Sequence, residues 1–197
     1  MRLPRTATVA ISVVTAVVWL LIALVGADSR AAVIMGVIPA RLSGLVEITP
    51  AVPAWLTPLS STLVHGGALH LALNLLMLVW CGTKVERILG PGPLLFLYVV
   101  GAYTAAVAQW LASPVSPMPM IGASGAISAV IGAFSLSFGQ QKRLVSSPSL
   151  NRTLNALWLL AAWVVLQMMT GLLAGTQGYL LATPAHIGGF VAGLLLQ

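Results

Sequence analysis

The sequence predicts an all-α membrane protein whose helices cross a bilayer six times. Hydrophobic residues make up 59% of the 197 residues and charged residues only 6%, whereas a soluble domain carries about 25% charged residues. The apolar residues gather into six segments, and most of the charged residues fall between them. The chain therefore faces lipid over most of its surface. Its length suits one membrane domain that covers positions 1–197.

The first apolar segment is about 20 residues long, enough to cross a bilayer core of about 30 Å. It exceeds the apolar part of a secretory signal, which is about 7–15 residues, so a first transmembrane helix is expected. The stretch 28–64 is mixed in polarity and contains four prolines, which predicts a long structured loop with short interfacial helices. The predicted spans are residues 7–27, 68–85, 91–111, 124–139, 154–174 and 180–197.

The later spans differ in character. The third opens with the turn sequence Pro91-Gly-Pro93, and the fifth carries the polar residue Gln167 in its centre. The fourth and sixth are rich in small residues, which let helix backbones approach closely in lipid, so these two spans are expected to contact each other. The small residues are Gly122, Gly125, Ala126, Ala129, Gly132 and Ala133 in the fourth span and Gly188, Gly189, Ala192 and Gly193 in the sixth.

The basic residues predict the orientation. With the N-terminus in the cytoplasm, most of them lie inside, as the positive-inside rule expects. The long first loop and the starts of the fourth and sixth spans then face the outside. This topology explains the net charge of +6 without a nucleic-acid partner. The inside residues are Arg2, Arg5, Lys84, Arg87, Lys142, Arg143 and Arg152, and the outside residues are Arg30 and Arg41.

Polar residues within apolar spans usually indicate function, because lipid penalises them. His70 and His186 lie toward the outer ends of their spans, and Ser124 lies at a comparable depth. His65 lies at the junction of the first loop with the second span. Asn74 follows His70 by four residues and shares its helical face. A serine hydroxyl needs an adjacent base such as neutral histidine, and imidazole or amide donors suit an oxyanion. The set is therefore what peptide hydrolysis requires.

The acidic residues argue against a third triad member. Glu86 belongs to the inner end of the second span, and Asp28 and Glu47 lie in the outer loop. No carboxylate falls within the spans beside His186. A serine hydrolase with this sequence is therefore expected to use a Ser-His dyad.

Three other interpretations stay open on the residues alone. A serine or histidine in an apolar helix is often only a packing or hydrogen-bonding residue. Three histidines at one level could hold a metal or haem, although no carboxylate or thiol joins them and His65 and His70, five residues apart, do not share a helical face. A small transporter is the third, and the clustering of polar residues toward one side of the membrane argues against it.

Three motifs follow one another along the chain: His65-x4-His70-x3-Asn74, Gly122-Ala-Ser124-Gly125 and Ala185-His186-x2-Gly189-x3-Gly193. In this order they resemble the motifs of the rhomboid intramembrane serine proteases. The resemblance implies a six-helix bundle with a long outer first loop, located in the plasma membrane. It implies cleavage of single-pass transmembrane proteins near the outer membrane boundary, with no cofactor. A catalytically silent rhomboid-like protein that binds membrane clients is the alternative.

The resemblance implies a role for each matching residue. Ser124 is the implied nucleophile and His186 its general base. His70 and Asn74, with the Ser124 backbone N–H, are the implied oxyanion hole. The residues implied to be structural near the site are His65, Gly122, Gly125, Gly189 and Gly193.

The sequence departs from the family pattern at two places. Many members carry an aromatic residue four positions after the serine, stacked on the catalytic histidine, and this position is Ser128 here. The side chain that orients His186 is therefore left open. Many members also carry a Trp-Arg pair in the first loop, where this chain has Trp55 and, near the place of the arginine, Thr57.

Overall fold

A computed structural model describes residues 7–137, 146–173 and 182–196. These residues form helices and loops, which confirms the all-α prediction. The only β-pairing among them is an isolated antiparallel bridge between Val37 and Met120. In chain order the α-helices of the described ranges are α1 (Ala7–Leu24), α2 (Asp28–Met35), α3 (Pro39–Leu42), α4 (Thr57–Ser60), α5 (Ala68–Met77), α6 (Thr83–Leu89), α7 (Pro91–Ala112), α8 (Ser124–Ser137), α9 (Pro148–Leu173) and α10 (Thr183–Leu195).

Four helical segments among the described residues are long and apolar enough to cross a membrane: Ala7–Leu24, Ala68–Leu89, Pro91–Ala112 and Pro148–Met169. The chain is therefore a multi-pass helical membrane protein. Helices α8 and α10 are apolar but shorter, with 14 and 13 residues, and the count of six spans stays a prediction.

Parts of the predicted spans and of the predicted orientation lie outside the described residues. These parts are positions 138–139 of the fourth span, 174 of the fifth, and 180–181 and 197 of the sixth. The same holds for four of the basic residues behind the predicted orientation, which stays a prediction. These four are Arg2, Arg5, Lys142 and Arg143.

The long first loop is structured, as predicted. It contains α2, α3 and α4, with 3-10 turns at Ala54–Leu56 and Ser61–Leu63. Its two ends are joined by hydrogen bonds, because Val52 N–H donates to the Ile34 carbonyl at 2.9 Å and Ser60 Oγ to the Met35 carbonyl at 2.7 Å. The loop thereby delivers the chain to the start of the second span in a fixed position.

The second span is one continuous helical segment with a π-helical turn, Leu78–Gly82, between α5 and α6. At its far end, Glu86 binds the first residues of α1. Its Oε1 accepts from Ala7 N–H at 2.7 Å, and its Oε2 accepts from the N–H and the hydroxyl of Thr8 at 2.9 and 2.5 Å. The first N–H groups of a helix have no acceptor within the helix, so the carboxylate supplies one. Its negative charge also interacts favourably with the positive end of the α1 dipole.

Helix α8 lies at the centre of the bundle, with Ile127, Val130 and Ile131 fully buried. The predicted contact between the fourth and sixth spans is present. A Cβ on Gly189 would collide with the Gly125 carbonyl, and one on Gly193 with the Ala129 carbonyl. The backbones of α8 and α10 therefore touch directly, which only glycine allows at these positions.

Candidate active site

Ser124 is the first residue of α8. The backbone just before it is hydrogen-bonded to two parts of the first loop. Val37 and Met120 exchange two backbone hydrogen bonds at 3.0 and 2.8 Å, and Gly122 N–H donates to the Ser61 carbonyl at 2.9 Å. Gly122 has a φ of +111°, a conformation that L side chains rarely adopt. This turn starts α8 so that the hydroxyl of its first residue lies at the junction with the first loop.

The imidazole of His186 lies against this hydroxyl, with Nε2 at 2.8 Å from Ser124 Oγ. Both side chains are buried, each with 6% of its surface exposed. His186 lies one turn before Gly189, the residue whose backbone touches α8. With the proton on Nδ1, the Ser124 hydroxyl donates to Nε2, which is the geometry that a general base requires. The direct backbone contact of two helices thus sets the distance between these groups.

His70 approaches the same place from α5. Its Nε2 lies 2.8 Å from the point where a Cβ on Gly122 would be, and Ser124 Oγ lies 3.8 Å from that point. Gly66 N–H donates to Nδ1 at 3.4 Å, so Nδ1 is the acceptor and Nε2 carries the proton. His70 therefore presents a neutral N–H donor beside the serine.

Asn74 is fully buried one turn below His70. Its Nδ2 donates to the backbone carbonyl of His70 at 2.8 Å, so one of its two N–H groups is engaged within its own helix. The structure brings Asn74 to the predicted helical face, and its participation in an oxyanion hole stays a prediction.

His65 supports the backbone rather than the hydroxyl. Its Nε2 accepts from Ala123 N–H at 3.4 Å, its ring meets that of His70 edge-on at 5.0 Å, and its carbonyl accepts from Trp19 Nε1 at 3.2 Å. His65 precedes the second span, and burial, helped by the nearby His70, lowers its pKa to about 3. The imidazole is therefore neutral and free to accept the hydrogen bond next to Ser124.

One residue at the site, Trp163, carried no sequence signal for a role there, and it contacts Ser128, the position at which the sequence departs from the family pattern. Trp163 of α9 lies 6.3 Å from the His186 ring, measured between centroids. Its indole Nε1 donates to Ser128 Oγ at 2.8 Å. Tryptophan is common in apolar spans, so the residue type alone does not indicate a role. Trp163 faces α8 and α10 because of the way α9 is rotated about its axis, which the sequence does not reveal.

The geometry bears on two points of the sequence analysis, a metal site and a third catalytic carboxylate. Within the described residues, no three metal-ligating side chains converge on one point. The carboxylate of Glu86 is engaged with the start of α1 and does not serve His186. The groups that meet at this site are a hydroxyl, an imidazole acceptor and a second imidazole that donates.

Comparison with known proteins identifies the relatives of the chain. Residues 53–197 match the rhomboid domain family. The chain is 40% identical over 79 residues to Rhomboid protease GluP of Bacillus subtilis, covering 40% of this chain and 15% of that protein. It is 31% identical over 140 residues to RHOMBOID-like protein 4 of Arabidopsis thaliana, covering 70% and 32%. It is 30% identical over 138 residues to Rhomboid protease GlpG of Pectobacterium atrosepticum, covering 70% and 45%. The chain spans less than half the length of each of these relatives.

Proposed function

Because the chain belongs to the rhomboid family, we propose that it is an intramembrane serine endopeptidase. It cleaves single-pass transmembrane proteins near the outer boundary of the plasma membrane, with its N-terminus in the cytoplasm and residues 1–197 acting as one membrane domain. The observation that carries the proposal is the 2.8 Å contact between Ser124 Oγ and His186 Nε2. A silent protein that only binds clients would have no need of a base held against a hydroxyl.

The dyad accounts for both halves of the reaction. His186 Nε2 takes the proton of Ser124 as Oγ attacks the scissile carbonyl, and it then gives that proton to the leaving amine. A covalent acyl-enzyme remains on Ser124. Water, activated by the same imidazole, attacks the ester and restores the free hydroxyl.

The oxyanion formed in each attack needs donors. His70 Nε2–H lies beside Ser124 and is one such donor. Ser124 is the first residue of α8, so its N–H has no acceptor within the helix and the positive end of the helix dipole faces the developing charge. Donors fixed in place before the reaction stabilise the transition state without reorganisation.

The space next to Ser124 favours small substrate side chains. A narrow cavity there is bounded largely by small residues and by the first loop, so it leaves little room beside the scissile bond. A substrate helix must also unwind to present an extended backbone, which small, helix-destabilising residues make easier. Residues that bound the cavity are Ser61, Gly122, Gly125, Ala105, Ala126 and Ala185.

Cleavage of a fluorogenic transmembrane peptide by the purified chain in detergent tests the proposal. Ser124→Ala and His186→Ala should each lower kcat by more than about a thousandfold, since the members of a catalytic unit fail together. Ser135→Ala is the matched control, because Ser135 is also buried in α8 but donates only to the Gly132 carbonyl.

Labelling with a fluorophosphonate separates the possible failures. A wild-type chain that cleaves should be labelled at Ser124, and His186→Ala should slow the labelling. Cleavage that survives Ser124→Ala would refute the assigned nucleophile. A wild-type chain that neither cleaves nor reacts with the phosphonate would favour the client-binding alternative.

A further inference from the structure

In the part of the chain that the structure describes, the second ring nitrogen of His186 has no hydrogen-bond partner. This atom, Nδ1, is buried. A general base must nevertheless be held in one orientation, because a small displacement of the reacting groups costs much of the rate. Packing against a neighbour that is itself fixed can supply this orientation.

Trp163 is that neighbour. Its indole meets the His186 ring at 6.3 Å between centroids, with the planes inclined by 65°, an edge-to-face arrangement that aromatic pairs favour. Only 2% of the Trp163 surface is exposed. A large rigid side chain on α9 thus borders the imidazole of α10.

The indole is held in place by a hydrogen-bonded chain that ends at the nucleophile. Trp163 Nε1–H donates to Ser128 Oγ at 2.8 Å, and the Ser128 hydroxyl donates to the backbone carbonyl of Ser124 at 2.7 Å. Ser128 is fully buried, so both of its hydrogen bonds are shielded from competition with solvent. One hydroxyl therefore joins the tryptophan to the residue that His186 serves.

We propose that Trp163, tethered by Ser128, is a positioning residue that holds the His186 imidazole against Ser124. The inference rests on the proposed protease function. It also assigns a task to Ser128: a small hydroxyl at this position leaves room for the indole of α9 and supplies the acceptor that fixes it. Ser128 also lies directly beside Gly189 of α10, where an added Cβ would be 3.2 Å from Ser128 Cβ. The same serine therefore contacts both the helix that carries Trp163 and the helix that carries His186.

The first test is kinetic and uses the full chain. Trp163→Phe keeps a ring but removes the donor, Trp163→Leu removes the ring, and Ser128→Ala removes the acceptor. We expect kcat to fall about threefold to tenfold in Trp163→Phe and Ser128→Ala and further in Trp163→Leu, with KM within twofold, because a shifted base affects the chemical step. Trp158→Phe is the matched control, since Trp158 lies on the same helix with 70% of its surface exposed.

A double-mutant cycle tests the tether. Trp163→Phe and Ser128→Ala break the same hydrogen bond, so the double variant should be no slower than the slower single variant. Multiplied losses would overturn the tether. Unchanged kcat in all three single variants, or a change in KM alone, would overturn the positioning role.

A spectroscopic readout keeps the inference testable without catalysis. The chain has three histidines, so selective histidine labelling gives few ring signals, and His186→Ala identifies the one from His186. We expect that signal to move in Trp163→Leu and Ser128→Ala and to stay in place in Trp158→Phe. If the wild type proves inactive but these shifts appear, the proposed protease function fails and the positioning contact stands. A His186 signal that is equally unmoved in all variants overturns the inference whatever the activity.

Discussion

Replacement of Gly122 by alanine perturbs the site at one defined point. The added Cβ would lie 2.8 Å from both Cε1 and Nε2 of His70. Carbon atoms in favourable contact are about 3.5–4.0 Å apart, so the imidazole has to retreat by about 0.7 Å or more. The backbone of Gly122, with φ at +111°, is strained for any L side chain, at a cost of about 1–3 kcal/mol.

The displacement should be visible mainly in catalysis. His70 carries the donor proposed for the oxyanion, and a misplacement of about 1 Å can cost a hundredfold in rate. We therefore expect Gly122→Ala to lower kcat by about tenfold to a hundredfold and the free energy of unfolding by about 1–3 kcal/mol. His186 and Ser124 stay in contact, so the loss should be smaller than that of His186→Ala.

The assay is cleavage of the transmembrane peptide, normalised to the number of sites labelled by the phosphonate. Gly44→Ala is the control for backbone strain alone, because Gly44 has a φ of +70° and an added Cβ there would meet nothing within 4 Å. It should lower the thermal midpoint without changing kcat. A Gly122→Ala variant with wild-type kcat would refute the placement of His70 as a donor beside the serine.

Two further predictions concern stability. Glu86→Gln removes the charge of the carboxylate that binds Ala7 and Thr8. The free energy of unfolding should fall by about 2 kcal/mol, the scale of a charged hydrogen bond, while kcat per labelled site stays unchanged. An unaltered thermal midpoint would contradict this prediction. The pKa of His65 is lowered to about 3, so below pH 6.5 the unfolded chain binds a proton that the folded chain excludes. The free energy of unfolding should therefore fall by about 2 kcal/mol between pH 7 and pH 5. Thermal melts of His65→Gln over this range should lack that share of the fall, and an identical pH dependence in both chains would disprove it.

The sequence was sufficient for those features that depend on composition and local spacing. Apolar segments of the right length predicted the long helices, and the glycines of the fourth and sixth spans predicted the close contact that Gly189 and Gly193 make with α8. The family resemblance, drawn from three short motifs, is confirmed by the match over residues 53–197. His70 and Asn74 were expected on one helical face, and α5 places them there.

Features that depend on tertiary contacts could not be read from the sequence. The π-helical turn at Leu78–Gly82 changes the phase of the second span, and an uninterrupted apolar run hides such a change. The pairing of Trp163 with Ser128 joins residues 35 positions apart and depends on how α9 is rotated. The hydrogen bond of Asn74 to its own helix likewise reflects a rotamer that spacing cannot predict.

The direct contact between α8 and α10 has a consequence for how the bilayer acts on this protein. Carbonyl oxygens there meet glycine α-carbons, so no side chain can rotate or repack to absorb lateral pressure. The outer helices differ, because only 11% of α1 and 17% of an apolar 18-residue stretch of α9 are buried, against 44% of such a stretch in α7. Changes in lipid thickness or tension should therefore displace α1 and α9 before α8 and α10. The distance between Ser124 Oγ and His186 Nε2 should stay constant across membranes of different composition.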